Sequence, residues 1–120
     1  MEHLHTAIAV RGSKKTKRLK NVQIDTGATY TVLRQNTLEE IGAWGPIWDI
    51  DVGLGNGPKV KAKAYGVTIK IEGVEAPAIG IMFEGAQTAI GVETLESIGL
   101  RLDLTTGKSE FTRPKGIAYF

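Results

Sequence analysis

The chain has 120 residues, 42% of them hydrophobic, with 15 basic and 13 acidic side chains, a net charge of +2 and no cysteine. That length is one domain, able to bury a core but too short for two lobes. Lack of cysteine excludes disulfides, thiol nucleophiles and cysteine-based metal sites, and no run approaches the ~20 apolar residues that cross a bilayer or the apolar core of a signal peptide. The chain reads as a single domain over residues 1–120, soluble and cytoplasmic with no membrane partner, either a whole protein or a domain excised from a precursor.

Leu4 to Val10 alternates with the two-residue period of a strand, and His3 and His5 lie at its start. Two histidines on one strand face are a conceivable metal pair, but no third ligand is apparent, so an ordinary strand start is expected and no metal. Arg11 to Lys20 then holds six of the fifteen basic residues and no acid, leaving 13 acids against 9 bases elsewhere. Such a cluster could bind phosphates. However, Gly12-Ser13 marks a turn between Ile8-Ala9-Val10 and Val22-Gln23-Ile24, and no aromatic residue interleaves to stack on bases. The expectation is a solvated basic hairpin at about 11–20 and no nucleic-acid partner.

The next strand, Leu19 to Asp25, runs into Thr26-Gly27-Ala28. A carboxylate at the end of an apolar strand needs partners that compensate its lost hydration. Gly27 lets the backbone turn back with N–H groups aimed at the carboxylate, and Thr26 adds a hydroxyl. The plain reading is an Asx-turn closing a hairpin; the chemical one is a carboxylate held for acid–base work.

Two short helices are expected, Asn36 to Ile41 closed by Gly42 and Val92 to Ile98 closed by Gly99. Thr37-Leu38-Glu39-Glu40-Ile41-Gly42 recurs 57 residues later as Thr94-Leu95-Glu96-Ser97-Ile98-Gly99. Between them, Trp44 and Trp48 flank the approach to Asp51-Val52-Gly53-Leu54-Gly55-Asn56-Gly57-Pro58. Tryptophans in a small β-domain fill core or stem positions or line a pocket, the former being the expectation. The alternating glycines suggest a phosphate cradle, but such a loop opens onto a helix. Here Lys59 to Tyr65 alternates as an exposed strand, and Asn56-Gly57 signals a hairpin turn. With further strands at Val60 to Ile71, Ala78 to Phe83 and Leu100 to Leu104, the fold class is mainly β, a small closed barrel with one or two short helices.

Asp25-Thr26-Gly27-Ala28, followed by Thr31-Val32-Leu33 and by Ala89-Ile90-Gly91 before the second helix, resembles the retropepsin-like (retroviral-type) aspartic proteases over roughly residues 4–111. The resemblance implies an acid-protease barrel with Asp25 catalytic, Thr26, Gly27 and Ala28 as the active-site loop, and Thr26 bonding across a dimer. It implies that Ala89, Ile90 and Gly91 pass beneath that loop. It makes the hairpin at about 48–65 a flap, with Val52, Gly53, Leu54, Gly55, Asn56 and Gly57 over substrate. No cofactor is implied. Peptide hydrolysis by carboxylates needs two of them in one site, and this chain has one Asp-Thr-Gly. Asp49, Asp51 and Asp103 lack its frame, although Asp103-Leu104-Thr105-Thr106-Gly107 is superficially alike. The second Asp25 must come from a second copy, so the expectation is a homodimeric aspartic endopeptidase acting on peptides or proteins. The helix repeat fits the internal pseudo-symmetry of that family. Asn56 and Pro58 depart from the retroviral flap tip, and Thr29-Tyr30 stands where retroviral members carry acids, so specificity does not carry over. A catalytically inert retropepsin-like binding module is the alternative, with nucleic-acid binding through the basic hairpin behind it.

Overall fold

The computed structural model describes residues 4–53, 57–103 and 105–115. β1 (Leu4–Arg11) and β2 (Thr16–Ile24) form an antiparallel hairpin. Its register shifts between Thr6 and Ile8, opposite Asn21 in the left-handed region at φ 52, the conformation that asparagine tolerates better than most residues. There follow β3 (Thr31–Val32), α1 (Gln35–Ile41), β4 (Trp44–Gly53), β5 (Lys59–Ile71), β6 (Val74–Met82), β7 (Ala89–Ile90), α2 (Val92–Ile98), β8 (Leu100–Asp103) and β9 (Lys108–Phe111). The protein is thus mainly β with two short helices.

Seven strands pair in the order β1-β2-β7-β3-β6-β5-β4, and β1 also pairs with β5, so every strand of this sheet except β4 belongs to a ring of pairings. β5 makes this possible by its length. Its first half, from Lys59 to Gly66, pairs with β4, and Thr68 to Lys70 pairs with β1. β4 is left outside the ring as an edge strand, and β8–β9 forms a separate hairpin. Alternation sends Ile8, Val10, Val22, Val67, Ile69 and Ile71 inward, where they meet Leu38 and Ile41 of α1 and Leu95 and Ile98 of α2. A second, smaller cluster of Val32, Ala64 and Ile81 is covered by Tyr30, Ile50, Val52, Ile79 and Phe83.

Both helices are seven residues long, bury Thr, Leu and Ile at matching positions, and end on a left-handed glycine, Gly42 at φ 72 and Gly99 at φ 87. Helices this short are not stable alone, and each has its last carbonyls capped from elsewhere. At α1 the turn of the β1–β2 hairpin supplies the caps: the Ser13 N–H donates to Gly42 O (2.8 Å) and the Lys14 N–H to Ile41 O (2.9 Å). At α2 the Arg113 guanidinium donates to Glu96 O (3.1 Å) and Ser97 O (2.7 Å).

The basic segment therefore forms the expected hairpin, but it is docked rather than merely solvated. Lys15 and Lys17 both pair with Glu40 on α1, and hydrogen bonds from Lys17 and Lys15 hold the Glu40 carboxyl below its usual value. Of the core and stem positions expected for the tryptophans, Trp44 and Trp48 take the stem: both lie on β4, outside the ring, and are 52% and 54% exposed. His5 is exposed and His3 lies outside the described residues. Among the described residues no helix is long and apolar enough to cross a membrane.

Candidate active site

β2 ends at Ile24, and Asp25 is held at its end from three directions. The Asp25 N–H donates to Ile90 O (2.8 Å), the Ala28 N–H donates to Asp25 O (3.1 Å), and the Gly27 N–H donates to Asp25 Oδ1 (3.0 Å). The first bond follows from the parallel register of β2 and β7, Gln23 beside Ala89 and Ile24 beside Ile90. The third is the turn expected of Gly27 and aims the carboxylate. Asp25 and Ala28 are half-buried, while Thr26 and Gly27 are exposed.

What anchors the loop is the start of α2. Its first N–H groups have no partner within the helix; Val92 N–H donates to Ala28 O and Glu93 N–H to Thr29 O, both at 2.8 Å. Gly91 allows this approach, since a Cβ there would lie 2.4 Å from the Tyr30 carbonyl carbon and oxygen. Beneath it is a buried hydroxyl pair: Thr31 Oγ1 accepts from the Gly91 N–H (3.1 Å) and shares a hydrogen bond with Thr94 Oγ1 (2.6 Å). Both threonines are fully buried. Ile90 and Gly91, which the sequence reading set beneath the loop with Ala89, touch its backbone; that reading missed Thr31 and Thr94 as supports. The available signal was a threonine at a position that the α2 pattern buries.

Asp25, Gly27, Ala28 and Tyr30 line a cleft of about 490 Å³ together with Ile50, Val52 and Gly53, and Val32, Ile81 and Phe83 complete its wall. The fold thus brings the Asp25 loop and the base of the β4–β5 hairpin together over the smaller apolar cluster. Gly53 pairs with Lys59 and Gly57 is exposed, while Leu54, Gly55 and Asn56 lie outside the described residues. Thr26 is not among the residues lining this cleft; it borders a groove with Leu95, Leu100 and Arg113. Asp51 also borders the cleft but is paired with Lys61 at 2.9 Å, as Asp49 is with Lys63 at 3.1 Å.

Asp103 does not line this cleft. It closes the β8–β9 turn by accepting the Thr105 and Thr106 N–H groups on Oδ1 at 2.9 and 3.4 Å, and those backbone hydrogen bonds lower its pKa. Among the described residues no three His, Asp or Glu side chains gather closely enough to hold a metal ion. No protein-family model matches the chain, and no curated protein matches it in sequence.

Proposed function

We propose that this chain is an aspartic endopeptidase of retropepsin type, a closed acid-protease barrel that works as a cytoplasmic homodimer on peptide or protein substrates. The observation that carries the reading is a half-buried carboxylate at a strand end, oriented by the Gly27 N–H and opening on an apolar cleft beside a β-hairpin. The cleft wall of Ile50, Val52, Ile81 and Phe83 suits an extended peptide with apolar side chains beside the scissile bond. The hairpin of β4 and β5 acts as the flap, Gly53 and Lys59 being its last described pair.

Each chain supplies one Asp25, so the active unit is two copies related by a two-fold axis. Thr26, exposed beside Asp25, is available to bond with its counterpart there. Two adjacent carboxylates do not both ionise readily, and the dyad holds one proton over its working range. The ionised Asp25 takes a proton from water as the water oxygen bonds to the peptide carbonyl carbon, while the other Asp25 gives its proton to the carbonyl oxygen. The resulting diol loses a proton to the carboxylate now ionised, while the other Asp25 gives the nitrogen the proton it took from water, and the C–N bond breaks to release acid and amine.

The test is cleavage of a peptide library by wild type and by Asp25→Asn, with and without a pepstatin-type inhibitor. Wild type should cleave, be inhibited, and lose specific activity on dilution as dimers dissociate; Asp25→Asn should stay dimeric and inactive. Peptide binding without cleavage by the wild-type dimer would instead identify an inert binding module.

A further inference from the structure

The proposed endopeptidase reading, on which this inference rests, leaves one conspicuous surface unused. Trp44, Ile47 and Trp48 are large apolar side chains left 52%, 48% and 54% exposed, all near the start of β4. From Trp48 to Gly53 the register with β5 is unbroken, with Trp48 opposite Ala64, Ile50 opposite Ala62 and Val52 opposite Val60. Alternation therefore puts Trp48, Ile50 and Val52 on one face of the strand. Ile50 and Val52 line the cleft, and Trp48 continues their row past its mouth. Trp44 and Ile47 extend the row: a Cβ built on Gly66, which pairs with Trp44, would lie 3.6 Å from Ile47 Cδ1 and 3.7 Å from Trp44 Cβ. Asp49 and Asp51 take the opposite face with Lys63 and Lys61.

The shape of this surface selects its occupant. β4 is the end strand of the sheet, and among the described residues it pairs with β5 alone, so from Ile47 to Gly53 its other edge presents backbone N–H and C=O groups beside the apolar row, while Pro46 has only a carbonyl to offer. A strip one strand wide with a free hydrogen-bonding edge fits an extended chain, which adds as a strand and sets alternate side chains on the row. Continuity with the cleft makes that chain the substrate itself. We infer that the Trp44–Trp48 stretch of β4 is an outlying substrate-binding surface for an extended apolar segment of the polypeptide beyond the residues held in the cleft. At ~3.3 Å per residue Trp48 lies about 13 Å along the strand from Val52, so the segment begins about four residues from those beside Val52.

Three synthetic peptides test it, sharing one cleavable core: the core alone, the core extended at both ends by apolar strand-forming residues, and the core extended equally by Gly and Ser. With wild type, the apolar extension should lower KM about tenfold relative to the core, the effect of one well-packed aromatic contact, and the Gly/Ser extension should not. Trp48→Ala should erase that advantage, with its kinetics on the core as the reference for an intact site. Equal KM for all three peptides with wild type overturns the inference while leaving the protease reading intact. So does a Trp48→Ala variant that keeps the length effect but dimerises more weakly, which would assign the surface to contacts between copies. If no peptide is cleaved, the protease reading fails, and titration of tryptophan fluorescence with the same peptides decides for the surface. Quenching by the apolar extension alone, diminished in Trp48→Phe, supports it, and no length dependence overturns it.

Discussion

Asp25 and Asp103 make the same local turn, a likeness closer than the sequence reading allowed, and have different surroundings. Each follows or ends a strand, and each accepts the N–H of the residue two positions on, Gly27 for Asp25 at 3.0 Å and Thr105 for Asp103 at 2.9 Å. The local turn chemistry is that of an Asx-turn in both. Asp103 stops there, on an exposed hairpin of two short strands. Asp25 is also bound through its N–H to Ile90, backed by the start of α2, and faces the β4–β5 hairpin across a cleft. A short acidic motif thus makes a turn by itself; only the elements around it make a site.

The comparison breaks most visibly in activity. Asp25→Asn should reduce peptide cleavage by about a thousandfold or more, since it removes the acid–base group from both halves of the dyad, whereas Asp103→Asn should leave the rate within about twofold. Initial rates on one reference peptide, with dimerisation checked by sedimentation, separate the two. Comparable losses in both variants would mean that Asp25 acts through the fold rather than through its charge.

The glycines near each turn sharpen the contrast in stability. Gly91→Ala pushes a methyl into backbone at 2.4 Å and should cost about 3 kcal/mol. Gly107, in the Asp103 turn at φ 71, has only Leu4 Cδ2 within reach of a Cβ, at 3.5 Å, so Gly107→Ala should cost about 1 kcal/mol of backbone strain. Urea melts give both figures. An effect between these two is expected from the buried hydroxyls. Thr31→Val strands the Gly91 N–H and should cost about 2 kcal/mol; it should also lower kcat more than it raises KM, and Thr31→Ser should restore both. An equal stability loss with kcat unchanged would separate the Thr31–Thr94 pair from the carboxylate loop.

The smallest effect is the pH dependence of Asp103. Its pKa is lowered in the folded protein by the Thr105 and Thr106 N–H groups, so it adds stability above its unfolded value and loses that contribution as pH falls through the folded one. The stability gap between wild type and Asp103→Ala should hold from neutral pH down to about the ordinary aspartate value of 3.8 and then narrow. A gap that widens below it would reverse the sign of the interaction.

Alternation of apolar residues by itself determined the long strands β1, β2 and β5 and the second half of β6, from Ala78, because burial of one face repeats every second residue and needs no knowledge of the partner. The helices were equally legible: Thr, Leu and Ile spacing with a terminal glycine placed α2 at Val92–Ile98 and α1 within one residue of Gln35–Ile41. Asp25 and its glycine turn were local too, since an N–H two residues away is set by neighbouring backbone angles. The two-residue strands β3 and β7 are too short to carry a period, yet they knit the Asp25 loop into the sheet. That Gly91 lies against Tyr30, that Thr31 meets Thr94 across 63 positions, and that the basic turn caps α1 are long-range contacts which periodicity cannot encode. The exposure of Trp44 and Trp48 was decided the same way, because a strand's own pattern does not say whether it lies inside the ring or at the edge. Tertiary pairing chose the edge, and with it which aspartate faces a cleft.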